Sequence, residues 1–306
     1  MSSRKLAIGD LGTEQPNRAS SALDTLSALE IARVINQEDR KVAAAVKRAL
    51  PQIARAIDAI AAAIGNGGRL IYAGAGTSGR LAALDAAECP PTFNTDPNTV
   101  QYVIAGGNKA LGRAAEYSED SRSSGRRDMS KRKPGKDDVV VGVAASGRTP
   151  YTIGALEHGS KKGAKTVAVV CNRGSELGKM ADIEIVLEVG PEAVSGSTRM
   201  KAGSAQKMAL NLLTTGAMAR LGYIYGNLMV NVHTTNEKLM ERGLSVLEKT
   251  AGVDRPTAVK TLKAAENQVA LALIMLKTGL GRTQAAKRLK GVKGNVRQAI
   301  AQGNLK

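Results

Sequence analysis

The chain has 306 residues, a net charge of +17 and two cysteines. This length accommodates one large α/β domain with smaller helical additions, and no apolar run approaches the roughly 20 residues that a membrane-spanning helix needs. The first residues, MSSRKLAIGDLG, contain no hydrophobic signal core. We therefore expect a cytoplasmic protein with no membrane contact and no disulfide scaffold.

Much of the positive charge lies towards the C-terminus. Between Ser245 and Lys306, twelve Lys and Arg residues stand against three acidic residues. A basic surface attracts anions, including nucleic acid. However, these cations are spread along helical patterns, and the aromatic residues that stack on bases make up only 2% of the chain. We interpret the charge as a solvated basic face and do not expect a nucleic-acid partner.

Helical patterns occupy residues 27–65. Residues 27–30, Ser-Ala-Leu-Glu, have the S-x-x-E form of a capping box, and apolar residues follow at helical spacing. A second helix is predicted from about Gln37 to Pro51, and a third ends at the glycine-rich residues 65–68. We assign residues 1–50 to an N-terminal helical arm.

The apolar pattern then changes to five short continuous runs. They occupy residues 69–73, 101–105, 139–144, 166–171 and 183–189. Such runs are typical of strands buried on both faces, as in a parallel sheet. Residues 51–250 are therefore predicted to form a three-layer α/β domain with a parallel sheet of about five strands. Beyond Gly252 the chain is all-helical, and residues 251–306 are predicted to form a small basic helical bundle.

The loop after the first predicted strand has the features of an anion site. Its sequence, GAGTSG at residues 74–79, follows the strand and opens a helix, so backbone N–H groups and the positive end of a helix dipole converge there. The glycines also match the G-x-G-x-x-G fingerprint of dinucleotide-binding domains. That fingerprint requires an acidic residue after the second strand, whereas Asp96 precedes it. This order argues against a NAD-dependent dehydrogenase.

Two further hydroxyl-rich turns follow, at residues 145–149 and 195–198. Three such turns in one domain favour a single phosphorylated, polyhydroxylated ligand surrounded by donors. Two cations near the third turn, Arg199 and Lys201, supply charge for an anion. The predicted ligand contacts are Gly76, Thr77, Ser78, Gly79, Ser146, Gly147, Arg148, Thr149, Ser197, Thr198, Arg199 and Lys201.

Three glutamates lie in the sequence between these turns. Glu88 stands near the end of the helix that the first loop opens, where the double proline at 90–91 is predicted to stop the helix. Glu119 belongs to a short acidic run, and Glu192 precedes the third turn. From position alone, each glutamate fits an exposed or helix-capping role as well as a catalytic one.

These motifs together resemble the N-acetylmuramic acid 6-phosphate etherases. The resemblance covers roughly residues 10–300 and rests on GAGTSGR (74–80), DAAECPPTF (85–93), VGVAASGRTPY (141–151), VINQEDRKV (34–42), TNEKL (235–239) and residues 190–207. The last segment is also similar to the glucokinase regulatory protein. The resemblance implies the sugar isomerase (SIS) fold, a homodimer, a phosphosugar substrate and a role in bacterial cell-wall recycling.

The resemblance also implies the reaction. In this family the sugar opens to an aldehyde, which acidifies the hydrogen at C2. A base removes that hydrogen while an acid protonates the departing lactyl oxygen at C3, and water then adds at C3 without a metal or redox cofactor. Glu88 and Glu119 match the family's proton-transferring glutamates, and Glu192 is a candidate for ring opening.

Two other functions compete with this one. A non-catalytic sugar-phosphate sensor, as the glucokinase regulatory protein is, stays open, although that protein carries two such domains and this chain has room for one. A sugar-phosphate-responsive transcription regulator needs a DNA-binding helix-turn-helix module. Residues 1–50 are too short and too weakly basic for that module.

Overall fold

The structure contains two compact units. It is a computed structural model that describes residue 9 and residues 11–113, 115–231 and 237–302; residues 235 and 236 of the TNEKL segment lie outside this part. One unit comprises Met1–Ala86 and Asn98–Thr214, and the other Ala87–Pro97 and Thr215–Lys306. Among the described residues, no helix has the length and apolar character needed to cross a bilayer.

A five-stranded parallel sheet forms the centre of the first unit. Its strands are β1 (Leu70–Gly74), β2 (Val100–Ile104), β3 (Val139–Val143), β4 (Lys165–Val170) and β5 (Ile183–Val186), in the order β2-β1-β3-β4-β5. Each predicted apolar run overlaps one of these strands. Strands β1 and β3 are buried along their whole length, as a continuous apolar sequence requires. The predicted α/β class with a parallel sheet is confirmed.

The strand order places a topological switch point between β1 and β3. From β1 the chain passes outward to β2, and it then returns to the opposite side of β1 to form β3. The connections that leave the carboxyl ends of β1 and β3 therefore diverge and open a crevice, which is the usual ligand position in open α/β sheets. The first two hydroxyl-rich turns are the loops that follow these two strands.

Helices flank the sheet. They are α1 (Ala28–Arg48), α2 (Leu50–Gly65), α3 (Gly76–Phe93), α4 (Arg122–Lys131), α5 (Pro150–Lys161), α6 (Glu176–Met180) and α7 (Lys201–Leu221), of which α3 and α7 continue into the second unit. The predicted capping box is present at the start of α1, where Ser27 and Glu30 bond to each other's backbone N–H groups.

The expected stop of α3 at the double proline was wrong. The helix continues through Pro90 and Pro91 to Phe93. A proline lacks an N–H donor but keeps its carbonyl as an acceptor. The Pro90 carbonyl accepts a 2.8 Å bond from the Asn94 N–H, and this bond sustains the last turn.

Where the structure describes it, the second unit contains helices and one antiparallel hairpin of β6 (Ile224–Tyr225) and β7 (Leu228–Met229). Its later helices are α8 (Glu237–Ala251), α9 (Arg255–Ala264), α10 (Val269–Thr278), α11 (Arg282–Gly291) and α12 (Val296–Ala301). Residues 269–274 of α10 are all buried, in keeping with an apolar sequence that has no polar face. The division of the chain into domains at residues 50 and 250 stays a prediction.

Candidate functional site

The three hydroxyl-rich turns line one cavity of about 420 Å³ in the first unit. The first turn contributes Gly76, Thr77 and Ser78, the second Ser146 and Thr149, and the third Ser197, Thr198 and Arg199; Glu14, Arg80 and Glu119 complete the polar lining. This volume suits a small-molecule ligand. The structure thus brings together most of the predicted contact residues, and their role in binding stays a prediction.

The first turn presents the amino end of α3 to the cavity. This helix begins at Gly76, two residues after the end of β1, and the first N–H groups of a helix have no partner within it. Gly76 has a φ of +51°, and a Cβ atom at this position would lie 3.0 Å from Glu119 Oε1. A glycine therefore allows both the left-handed backbone and the close approach of the carboxylate. The Glu119 carboxylate lies against the helix end that is suited to bind an anion.

The backbone of Glu119 anchors this residue at the cavity. The Glu119 carbonyl accepts a 2.9 Å bond from the Tyr151 N–H, in the first turn of α5. The preceding residue, Pro150, has no backbone N–H and therefore needs no hydrogen-bond acceptor at the start of the helix. The start of α5 thus fixes the point from which the half-buried Glu119 side chain reaches the cavity.

The hydroxyl groups of the first and second turns differ in availability. Ser78 Oγ donates a 2.9 Å bond to Gln206 Oε1 of α7, so Ser78 offers the cavity its oxygen lone pairs and not its proton. Ser146 Oγ accepts a 3.2 Å bond from the Arg148 N–H, which leaves its O–H to donate. Thr149 occupies the N-cap position of α5, but its side chain does not cap the helix. Ser146 and Thr149 are therefore the stronger hydroxyl donors.

Three predicted contact residues of these turns do not line the cavity. They are Gly79, Gly147 and Arg148. Gly147 has a φ of +64°, and a Cβ atom there would lie 2.3 Å from Ser175 Oγ. The role that the geometry gives Gly147 is close packing against the start of α6.

Glu192 and Lys201 also lie away from the cavity lining, in the interior of the unit. Both Glu192 carboxylate oxygens accept 2.9 Å bonds, one from the Lys201 N–H and one from the Ala202 N–H, so Glu192 caps α7. Burial raises the pKa of Glu192, although these bonds and the Lys201 charge oppose the shift. Lys201 Nζ donates a 2.6 Å bond to Glu38 Oε2, and both side chains are almost completely buried.

Glu88 lies on the part of α3 that belongs to the second unit, where it is exposed. Its predicted catalytic role therefore stays a prediction. Two charged residues of the cavity, Glu14 and Arg80, are not among the predicted site residues. Arg80 donates 2.9 Å bonds to the carbonyls of Ala110 and Arg113, and this arrangement depends on contacts that the sequence does not reveal.

Asp85 is a buried carboxyl group between β1, α3 and α7. Tyr72 Oη donates a 2.9 Å bond to Oδ2, and Thr214 Oγ1 donates a 3.1 Å bond to Oδ1. Burial raises the pKa of Asp85 from its ordinary value of 3.8 to about 6, against the opposing effects of these two bonds and of the Lys207 charge. The folded state therefore binds a proton at Asp85 more tightly than the unfolded state does.

This raised pKa predicts how stability depends on pH. Ionised Asp85 destabilises the fold above about pH 6, and the cost disappears as the pH falls towards 4. The difference in unfolding free energy, Asp85→Asn minus wild type, is expected to rise by about 1–2 kcal/mol between pH 5 and pH 8. Urea unfolding at both pH values measures this difference. Any effect of the Asn side chain that does not depend on pH is the same at both values and cancels when they are subtracted.

Asp138→Asn serves as the matched control. Bonds from Arg69 and from the Gly135 N–H outweigh burial and lower the pKa of Asp138 below its ordinary value of 3.8. Asp138 is therefore ionised throughout this pH range. The free energy of unfolding of Asp138→Asn should change between pH 5 and pH 8 by the same amount as that of wild type. If the unfolding free energy of Asp85→Asn also changes with pH as that of wild type does, the buried Asp85 carboxyl does not titrate as described.

Two family models of the SIS domain match this chain. Residues 52–160 match the glucokinase regulatory protein N-terminal SIS domain, and residues 117–216 match the SIS domain. A phosphoheptose isomerase from Francisella tularensis is 17% identical, with a TM-score of 0.50 over 63% of this chain and 100% of that chain. At this level of identity the likeness concerns the fold alone, and it agrees with the predicted SIS-type architecture.

Two relatives extend the likeness over nearly the whole chain. N-acetylmuramic acid 6-phosphate etherase 2 of Vibrio parahaemolyticus is 49% identical over 296 residues, which cover 97% of this chain and 99% of the relative. N-acetylmuramic acid 6-phosphate etherase of Aeromonas hydrophila is 50% identical over 291 residues, which cover 95% of this chain and 98% of the relative. The chain belongs to the N-acetylmuramic acid 6-phosphate etherase family.

Proposed function

We propose that this protein cleaves the D-lactyl ether of N-acetylmuramic acid 6-phosphate and releases N-acetylglucosamine 6-phosphate and D-lactate. This reaction would serve the recycling of peptidoglycan amino sugars. The observation that carries the proposal is the position of Glu119 against the amino end of α3, in a cavity lined by three hydroxyl-bearing turns. Near-full-length identity to relatives named for this activity supports it.

The phosphate group fits the end of the cavity formed by the first turn. The N–H groups at the start of α3, its helix dipole and the Thr77 hydroxyl favour an anion there. Arg199, which is exposed at the cavity wall, adds a positive charge and planar donors. The hydroxyls of Ser146, Thr149, Ser197 and Thr198 then remain for the sugar and its N-acetyl group.

The elimination needs one group that removes a proton and one that supplies it. Once the sugar is open, the C1 aldehyde stabilises the carbanion that forms when a base removes the C2 proton. The C3–O bond then breaks, and the departing lactyl oxygen takes up a proton. Glu119, which lines the cavity, is proposed for one of these transfers, and Glu88 for the other because it matches the family motif. A homodimer in the cytoplasm is part of the same proposal.

Release of D-lactate tests the proposal. The purified protein is incubated with N-acetylmuramic acid 6-phosphate in buffer without added NAD or metal, and D-lactate is assayed over time. Continuous release at a rate proportional to the protein concentration is expected. Phosphosugar binding without any lactate would contradict the proposal and favour the non-catalytic sensor.

A further inference from the structure

Glu14 is a second carboxylate in the cavity that contains Glu119. It comes from the segment that precedes α1, where no helix or strand holds it. A Cβ atom at Gly196 would lie 2.7 Å from Glu14 Oε2, so the carboxylate packs against the third turn. The cavity therefore brings two carboxylates from distant parts of the sequence to one ligand position.

The segment around Glu14 is fixed by bonds that do not involve the Glu14 side chain. The Glu14 carbonyl accepts a 2.8 Å bond from Ser195 Oγ, and its N–H donates to the Leu11 carbonyl at 2.9 Å. Thr13 is buried; its carbonyl accepts the Gly196 N–H at 3.3 Å, and its hydroxyl accepts a bond from Asn172 Nδ2 at 3.3 Å. The backbone is thus anchored while the half-buried carboxylate faces the cavity.

The Glu14 carboxylate packs against Gly196, but its oxygens make no polar bond to the described part of the fold. No hydrogen bond or salt bridge to its side chain occurs in residues 11–113, 115–231 and 237–302. A carboxylate in a ligand cavity whose oxygens are not engaged by the described part of the fold is well placed to accept protons from a ligand. By contrast, Glu192 has both oxygens occupied by the α7 backbone and does not line the cavity.

The proposed reaction leaves one proton transfer without a residue. The pyranose ring must open before the C2 hydrogen becomes acidic, and opening requires removal of the proton from the C1 hydroxyl. This step is distinct from the two transfers of the elimination. Glu192 was the candidate for it, but Glu192 lies inside the unit, capping α7, whereas Glu14 lies at the cavity.

We infer that Glu14 contacts the bound sugar and acts as the base that opens its ring, an inference that rests on the proposed function. The Glu14 carboxylate accepts the proton of the C1 hydroxyl. The C1–O5 bond breaks as the C1=O double bond forms, and O5 takes a proton from water. The protonated Glu14 then gives its proton to the hydroxide that this leaves, which restores the water molecule, so no proton is gained or lost.

Exchange between the anomers of N-acetylglucosamine 6-phosphate isolates the ring-opening step. Magnetisation-transfer NMR measures how much the protein accelerates exchange between the α and β anomers. Glu14→Gln is expected to lower this acceleration by about 100-fold or more, and Glu14→Asp should restore part of it. Equal thermal unfolding of Glu14→Gln and wild type is expected, because the anchoring bonds use only the backbone of Glu14.

Two further variants make the result specific. Asp24→Asn removes one exposed negative charge from the same N-terminal segment and should exchange anomers at the wild-type rate. Glu119→Gln should keep anomer exchange while losing lactate release. If wild type releases lactate and Glu14→Gln accelerates anomer exchange as well as wild type, the inference is wrong and the proposed function stands. If wild type releases no lactate, the proposed function itself fails.

Discussion

Replacing Glu119 by Gln is expected to lower kcat for lactate release by about 10²–10⁴-fold, because an amide neither accepts nor donates the proton that the elimination moves. Phosphosugar binding should change little, because the α3 amino end and the hydroxyls of the three turns remain in place. Steady-state kinetics and binding calorimetry with the substrate separate the two effects. A loss confined to kcat is the expected signature.

Asp120→Asn is the matched control for this substitution. Asp120 is the next residue in the chain, it is exposed, and it does not line the cavity. Its variant removes the same charge at nearly the same place and should keep the wild-type kcat. Equal losses for the two variants would mean that the local charge, and not a proton transfer by Glu119, controls the rate.

Replacing Lys201 by Met is expected to destabilise the first unit by about 3–5 kcal/mol, because it leaves Glu38 as a buried carboxylate without its main partner. Burial alone would raise the pKa of Glu38, but bonds from Lys201, Lys41 and Asn17 hold the pKa at about 2. Glu38 belongs to α1, and Lys201 is the first residue of α7. The pair therefore ties the N-terminal helix to the helix that follows the third turn.

Lys41→Met provides the comparison. Lys41 Nζ contacts Glu38 Oε1 at 2.6 Å, but its side chain is 58% exposed, whereas that of Lys201 is 1% exposed. An exposed ion pair contributes about 0–1 kcal/mol. In denaturant unfolding, the loss of unfolding free energy should be several-fold larger for Lys201→Met than for Lys41→Met. Equal losses would show that the Lys201–Glu38 pair does not stabilise the unit as a buried pair.

The sheet could be predicted from sequence because its strands carry their own signal. A strand buried on both faces needs a continuous apolar run, as β1 and β3 show along their whole length. The other three strands each contain one or two polar residues in an otherwise apolar segment. The first two turns could be placed for the same reason, because each follows such a run and precedes a helix. Parallel strands bring these ends to one edge of the sheet, so their convergence follows from local patterns.

The remaining cavity residues depend on long-range packing. Glu14 lies in a segment without periodicity, and its position is set by Ser195, Gly196 and Asn172, which are far away in the sequence. Spacing placed Glu192 and Lys201 near the third turn but did not reveal the direction of their side chains. Both point inward because the start of α7 needs an acceptor and the buried Glu38 needs a cation.

The proposed elimination is tested most directly by NMR of the reaction in D₂O. The protein is mixed with N-acetylmuramic acid 6-phosphate, and the products are followed until the substrate is consumed. The account predicts D-lactate together with N-acetylglucosamine 6-phosphate that carries deuterium at C2, because the C2 proton is exchanged with solvent during the reaction. Release of lactate with the original hydrogen retained at C2 would contradict the elimination, and an intact ether would contradict the activity itself.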